Sequence, residues 1–126
     1  MSIEGTAREV LEKTEWVAIA TSGSEGPHVV ATWGDYINAI GIPDDRIVIP
    51  VGHMHKTEAN LKHDNRIELL CGTRQVQGTY GPGKGCSITG TARMHTEGRD
   101  FDAVRSRFAW ARAALVVSVE KVETQL

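Results

Sequence analysis

The stretch WVAIATSGSEGPHVVATW, residues 16–33, predicts a protein built mainly from β-strands. Two runs of β-branched, aromatic and small apolar residues flank the segment SGSEG, whose glycines permit the backbone angles of a hairpin turn. Two further apolar runs follow in DYINAIGIPDDRIVIPV, residues 35–51, and the proline and paired aspartates between them favour a turn. The first half of the chain therefore predicts four antiparallel strands.

Other segments predict helices at the edges of the sheet. TARE, residues 6–9, has the spacing of a capping box and predicts a helix of about ten residues. KTEANLKHD, residues 56–64, has room for about two turns of helix. A third helix is predicted from four apolar residues at the spacing of one helix face: Phe101, Val104, Phe108 and Ala111.

The second half of the chain predicts further strands. They are RIELLCGTR at 66–74, CSITGTARMH at 86–95 and ALVVSV at 114–119, and TYGPGKG at 79–85 is predicted to be a loop. Six to seven short antiparallel strands with helices only at the edges indicate a mainly β, Greek-key-like barrel rather than a βαβ arrangement. We expect a single domain over residues 1–126.

Composition limits the classes of function. A chain of 126 residues with 40% hydrophobic and 24% charged residues can bury a core without a metal or a disulfide. Its net charge of −2 gives no broad positive field for nucleic acid or a membrane surface. No apolar run resembles a secretory peptide or a membrane span. We predict a cytoplasmic protein with no nucleic-acid or membrane partner, whose Cys71 and Cys86 are reduced, partly buried thiols.

The segment PVGHMHKTEAN, residues 50–60, carries the strongest chemical signal. His53 and His55 would lie on the same side of an extended chain, and imidazole suits zinc, copper or iron. A third ligand has no spacing that predicts it. Alternatively, the free backbone N–H groups of a helix start, together with Lys56 and Thr57, can hold a phosphate. In the plainest interpretation Thr57 caps the helix and Lys56 is solvated, and spacing alone leaves all three open.

The aromatic residues add to the phosphate interpretation. Trp33 follows Thr32 in the strand that precedes this segment, so a flat ring and a phosphate-binding loop could serve one nucleotide-like ligand. Tryptophans of a small domain are also common core residues, which is the alternative for Trp33 and Trp110.

Several strings together resemble the pyridoxamine 5'-phosphate oxidase-like family of split-barrel flavoproteins. They are TW followed by a tyrosine, RIVIPVGHMHKTEAN, GPGKG and FAWARAALVVSV, and the likeness covers essentially the whole chain. The resemblance implies a homodimer of split barrels with noncovalent FMN near the subunit interface. The chain departs from the family pattern at Ala31, where the family has asparagine, and at His53, where it has a second glycine.

The resemblance also implies a set of cofactor contacts. Lys56 and Thr57 would hold the FMN phosphate, and Trp33 would lie close to the ring. The other implied contacts are the backbone of Pro50, Val51, Gly52 and His53 along the isoalloxazine edge, polar groups of Thr32 and Thr73, and Trp110 and Leu126 approaching from the partner subunit.

Three functions stay open. The first is electron transfer through FMN with no catalytic protein residue, since the chain shows no carboxylate pair or activated nucleophile. The second is an FMN-dependent oxidoreductase acting on pyridoxamine phosphate or another small molecule, with Arg74, Arg93 and Arg112 as candidate phosphate ligands. The third is a metal-binding module based on His53 and His55.

Overall fold

The computed structural model describes residues 3–126, which form four α-helices and six β-strands. The helices are α1 (Gly5–Lys13), α2 (Gly34–Ile40), α3 (His55–His63) and α4 (Arg99–Arg107). The strands are β1 (Trp16–Gly23), β2 (Gly26–Trp33), β3 (Arg46–Val51), β4 (Arg66–Gln77), β5 (Pro82–His95) and β6 (Ala113–Gln125).

All six strands belong to one antiparallel sheet in the order β2-β1-β4-β5-β6-β3. Apolar residues of β3, at one edge, and of β1, next to the other edge, belong to the same buried cluster. The sheet must therefore curl around this core into a half-barrel, with α1 packed against β4 and β5. The prediction of a mainly β antiparallel barrel is confirmed.

The predicted strand over DYINAI is wrong, because these residues form α2. Chain direction changes at Gly34, whose N–H donates to the carbonyl of Glu15 and where a Cβ would lie 2.3 Å from the carbonyl oxygen of Thr14. Ile37 and Ile40 then face the main core and a second apolar cluster, at helical spacing. As a result β3 pairs with β6 instead of following β2 in a meander.

Three local predictions need smaller corrections. Helix α1 begins at Gly5 after Glu4, and no side chain caps it, so the predicted capping box at 6–9 is wrong. Helix α4 ends at Arg107, although the four residues predicted for its face still share the second apolar cluster. The predicted loop at 79–85 is shorter, because β5 already begins at Pro82.

The two cysteines are more deeply buried than the sequence analysis expects. Cys71 and Cys86 are free, buried thiols. Among residues 3–126, every helix is too short and too polar to cross a membrane.

Candidate cofactor site

Helix α3 begins with backbone N–H groups that have no intrahelical acceptor. Strand β3 ends at Val51, and Met54, in the left-handed region with φ of 58°, is the N-cap of α3. No side chain caps the helix, and its first backbone bond runs from Glu58 N–H to the Met54 carbonyl, 3.0 Å away. The N–H groups of His55, Lys56 and Thr57 therefore have no intrahelical acceptor. This arrangement suits an anion.

Thr57 adds an unpaired hydroxyl to these donors. Its side chain is fully buried, and its Oγ1 has no hydrogen-bond partner within residues 3–126. The residue lies three positions after the N-cap, so the interpretation of Thr57 as the capping residue is wrong. A buried hydroxyl without a partner costs about 1 to 3 kcal/mol. A ligand that accepts a hydrogen bond from Thr57 would remove this cost.

Lys56 supplies the positive charge. Its side chain is half exposed, and its Nζ lies 3.7 Å from a carboxylate oxygen of Glu25 in the β1–β2 turn. Exposed ion pairs of this kind contribute little to stability, so the ammonium can turn to a bound anion at small cost.

Arg112 holds the loop before α3 in place. Its guanidinium donates to the carbonyls of Gly52 at 2.9 Å and His53 at 2.6 Å, and to Oε1 of Glu58 at 3.1 Å. Its backbone N–H donates to the carbonyl of Val51 at 2.8 Å. The sequence interpretation treats Arg112 as a candidate substrate ligand, whereas the structure engages it in positioning the loop before α3.

An aromatic cluster borders this loop. The rings of Tyr36, Phe108 and Trp110 lie with centroids 4.9 to 5.6 Å apart. The Trp110 ring lies 3.4 Å from the point where a Cβ on Gly52 would stand. Within the chain itself Trp110 thus adjoins the loop directly, and a Cβ at position 52 would be in van der Waals contact with its ring.

Thr32 and Trp33 lie at the opposite end of β2 from the turn that Lys56 contacts. Thr32 is buried and Trp33 is half exposed at the end of β2, whereas Lys56 contacts the turn before β2. Seven steps of about 3.3 Å separate Gly26 from Trp33, or about 23 Å. The structure therefore does not bring Trp33 beside the turn that Lys56 contacts.

Thr73 and Leu126 line another cleft, of about 700 Å³, formed by β4, β5 and the C-terminus. The carbonyl of Leu126 accepts hydrogen bonds from the Thr79 N–H at 2.8 Å and from Lys84 Nζ at 3.4 Å. The predicted contacts thus lie in three separate places. They are the end of β3 with the first turn of α3, residues 51–57, which we call the α3 corner; the end of β2; and this cleft.

Sequence reasoning did not predict the supporting role of three residues around the α3 corner. Arg112 positions the loop, Glu25 pairs with Lys56, and Asn60 donates from Nδ2 to Thr21 Oγ1 at 3.2 Å behind α3. All three contacts span long sequence separations. The sequence singles out only Arg112, within the string FAWARAALVVSV and as a candidate phosphate ligand, and it indicates no role in supporting the loop. His53 and His55 have ring centroids 6.3 Å apart, and residues 3–126 contain no cluster of three potential metal ligands.

Comparisons with known proteins agree with this fold. The family model described as pyridoxamine 5'-phosphate oxidase matches residues 3–126. An FMN-binding protein of Nitratidesulfovibrio vulgaris is 48% identical over 124 residues, covering 98% of this chain and 99% of the relative.

Solved structures with low sequence identity share the fold. A variant of HupZ from Group A Streptococcus has a TM-score of 0.76 at 17% identity, over 98% of this chain and 99% of the other. An FMN-binding protein from Syntrophomonas wolfei has a TM-score of 0.69 at 17% identity, over 96% of this chain and 84% of the other. The chain belongs to the pyridoxamine 5'-phosphate oxidase family and has its split-barrel fold.

Proposed function

We propose that this protein binds FMN noncovalently and carries electrons through it. The observation that carries the proposal is the unpaired, buried hydroxyl of Thr57 beside the free N–H groups of α3. These groups and the Lys56 ammonium fit a phosphate monoester. The name and close similarity of the Nitratidesulfovibrio protein favour FMN as the molecule that carries it.

The residues of the corner have distinct roles in this proposal. FMN, when bound, supplies one- and two-electron redox chemistry. Lys56, Thr57 and the helix N–H groups hold its phosphate, and Arg112 keeps the backbone of 50–53 in place along the ring edge. FMN has about 31 non-hydrogen atoms, and at about 0.3 kcal/mol each the binding energy is near 9 kcal/mol, a sub-micromolar affinity. Noncovalent retention is therefore physically reasonable.

A homodimer would bring the remaining contacts to the site. The outer face of β2, β1 and β4 exposes Trp33 by 51%, Trp16 by 53% and Leu70 by 47%. Trp16 lies directly opposite Trp33, and Ala18 lies between Ala31 and Leu70 in the ladder. Such a continuous apolar patch on a small protein favours burial against another chain. We propose that a second copy covers it and supplies contacts such as Thr73 and Leu126 to the FMN.

The dimer proposal has a direct test. Solution mass should be that of two chains, and Leu70→Lys, which places a charge in the patch, should shift it toward one chain. Val29→Lys tests a second exposed position on the same face. A monomeric wild-type protein that retains FMN would contradict the shared site.

The flavin proposal is tested by the absorbance of purified protein. Bound FMN should give the flavin absorbance band at about 450 nm, and apoprotein should regain this band when FMN is added. A colourless protein that takes up no FMN would refute the proposal.

A second candidate is an oxidase acting on a small phosphorylated substrate, which the description of the family model favours. It requires cationic groups for the substrate phosphate. Arg112 is engaged at the loop, and Arg74 donates to the carbonyl of Pro82 at 2.9 Å, which leaves the exposed Arg93 as the remaining candidate. Turnover of pyridoxamine 5'-phosphate with oxygen, lost on removal of FMN, would favour this candidate over electron carriage.

We also propose a cytoplasmic location. The two free thiols support it, because thiols stay reduced in that compartment. Detection of the protein in an extracellular or periplasmic fraction would contradict it.

A further inference from the structure

Two cysteines lie opposite one another in the middle of the sheet. In the antiparallel register of β4 and β5, Cys71 pairs directly with Cys86, so both side chains point to the same face. Opposed residues in such a ladder have Cα atoms about 4.5 to 5.5 Å apart. A disulfide joins Cα atoms about 4.4 to 6.8 Å apart. The backbone therefore already has the spacing that a disulfide needs.

The environment of the pair favours reaction between its members. Both thiols are free, Cys86 is fully buried, and Cys71 is 7% exposed. Cys71 Sγ lies 3.7 Å from the carbonyl oxygen of Cys86. A hydrogen bond from the Cys71 thiol lowers the pKa of Cys86, and the same hydrogen bond together with burial raises the pKa of Cys71. The more acidic thiol of the pair thus lies beside a second thiol that can resolve its oxidation product.

We propose that Cys71 and Cys86 form a peroxide-sensitive dithiol that oxidises to a reversible disulfide across β4 and β5. One thiolate attacks hydrogen peroxide, the O–O bond breaks, and a sulfenic acid and hydroxide form. The second thiol attacks the sulfenic sulfur, the S–S bond forms, and the hydroxyl group leaves as water. In total, two thiols and one hydrogen peroxide give one disulfide and two waters.

The burial of the two thiols limits the size of the oxidant that can reach them. A bulky disulfide such as oxidised glutathione cannot reach a fully buried sulfur without wide separation of the strands. Hydrogen peroxide is close to water in size, so a small local opening of the strands around the 7% exposed Cys71 is enough for it to reach the pair.

The test is peptide mass spectrometry of native protein treated with hydrogen peroxide. Trypsin cleaves after Arg66, Arg74, Lys84 and Arg93, which puts the cysteines on separate peptides, residues 67–74 and 85–93. We expect the intact chain to become lighter by two hydrogen atoms and these peptides to appear linked. Dithiothreitol should reverse both changes, and oxidation should raise the thermal midpoint because it closes a loop in the unfolded chain.

Controls separate this reaction from other oxidation. The protein is unfolded directly into excess alkylating reagent, so that buried thiols are blocked as they become exposed, and the linked peptide must come from the monomer band of a non-reducing gel. Cys71→Ser and Cys86→Ser should each abolish the linked peptide, and Cys71→Ser should instead accumulate the sulfenic acid of Cys86 or its further oxidised forms. Unchanged thiols in the wild-type protein, sulfinic or sulfonic acid without a linked peptide, or a disulfide only between two chains would each overturn the proposal.

Discussion

Thr14 and Thr57 are both buried threonines at the end of a helix, yet their hydroxyl groups have different surroundings. Thr14 follows α1, and its Oγ1 donates to the carbonyl of Trp16 at 2.8 Å and accepts from the N–H of Gly72 at 3.3 Å. Thr57, in the first turn of α3, has no hydrogen-bond partner within residues 3–126. The protein therefore satisfies one hydroxyl internally and leaves the other free.

The difference separates structural from ligand-binding polar groups. Buried hydroxyls that serve only the fold are normally hydrogen-bonded, because an unpaired one destabilises the native state. A hydroxyl left unpaired beside free helix N–H groups and a lysine is explained if a ligand completes it. Substitutions at the two positions should thus have opposite effects on stability and on FMN binding.

The largest effect is expected from Arg112→Met, which removes the hydrogen bonds that support the α3 corner. The Gly52 and His53 carbonyls and the Glu58 carboxylate lose a charged donor, so we expect the free energy of unfolding to fall by about 2 to 3 kcal/mol and FMN affinity to fall as well. Urea unfolding and FMN titration measure the two effects. Arg74→Met, at an exposed arginine with one backbone hydrogen bond, is the matched control, and equal losses in both variants would contradict the role of Arg112.

The next effect is a loss of stability in Thr14→Val. The N–H of Gly72 loses its acceptor in this variant, and we expect about 2 kcal/mol of destabilisation in urea unfolding. FMN affinity of the folded protein should stay within about twofold of wild type, since Thr14 touches no part of the α3 corner. A variant as stable as wild type would remove the contrast between the two threonines.

Thr57→Val should show the reverse pattern. Stability without FMN should be unchanged or slightly higher, because the variant removes an unpaired polar group from the interior. FMN should bind about 10- to 30-fold more weakly, the low end of the range for one hydrogen bond to a charged group. Thr57→Ser, which keeps the hydroxyl, should bind FMN nearly as well as wild type. Loss of stability in Thr57→Val with full FMN affinity would show that its hydroxyl serves the fold.

Part of the fold and of the candidate site could be predicted from the sequence, because the signals are local. The β1–β2 hairpin and the start of α3 directly after β3 follow from glycine placement, strand patterning and residue order, whereas the different surroundings of the Thr14 and Thr57 hydroxyls depend on tertiary contacts. Arg112 could not be assigned, since its partners lie about 60 residues away and contact at that range is invisible in a single sequence. The predicted strand over α2 is wrong because a short apolar run cannot be assigned to strand or helix by periodicity alone. Whether Thr73 and Leu126 meet the other predicted contacts depends on packing that sequence patterns do not report.

The smallest effect is expected at Glu25. Its carboxylate competes with a bound phosphate for Lys56, so Glu25→Gln should tighten FMN binding by less than about fivefold at low salt. The gain should shrink as ionic strength rises, because the groups are exposed. Glu12→Gln, which removes a carboxylate paired with Arg8 on α1, controls for net charge. Equal gains in both variants would indicate a general charge effect.

The central claim is that the α3 corner grips the phosphate of FMN, and one comparison of ligands tests it most directly. Wild-type apoprotein and the double variant Lys56→Ala/Thr57→Val are titrated with FMN and with riboflavin, which has the same ring but no phosphate. We predict that the wild type binds FMN at least about tenfold more tightly than riboflavin, and that this preference is lost in the double variant. Equal affinity of the wild type for both flavins, or the same preference in both proteins, would contradict the account.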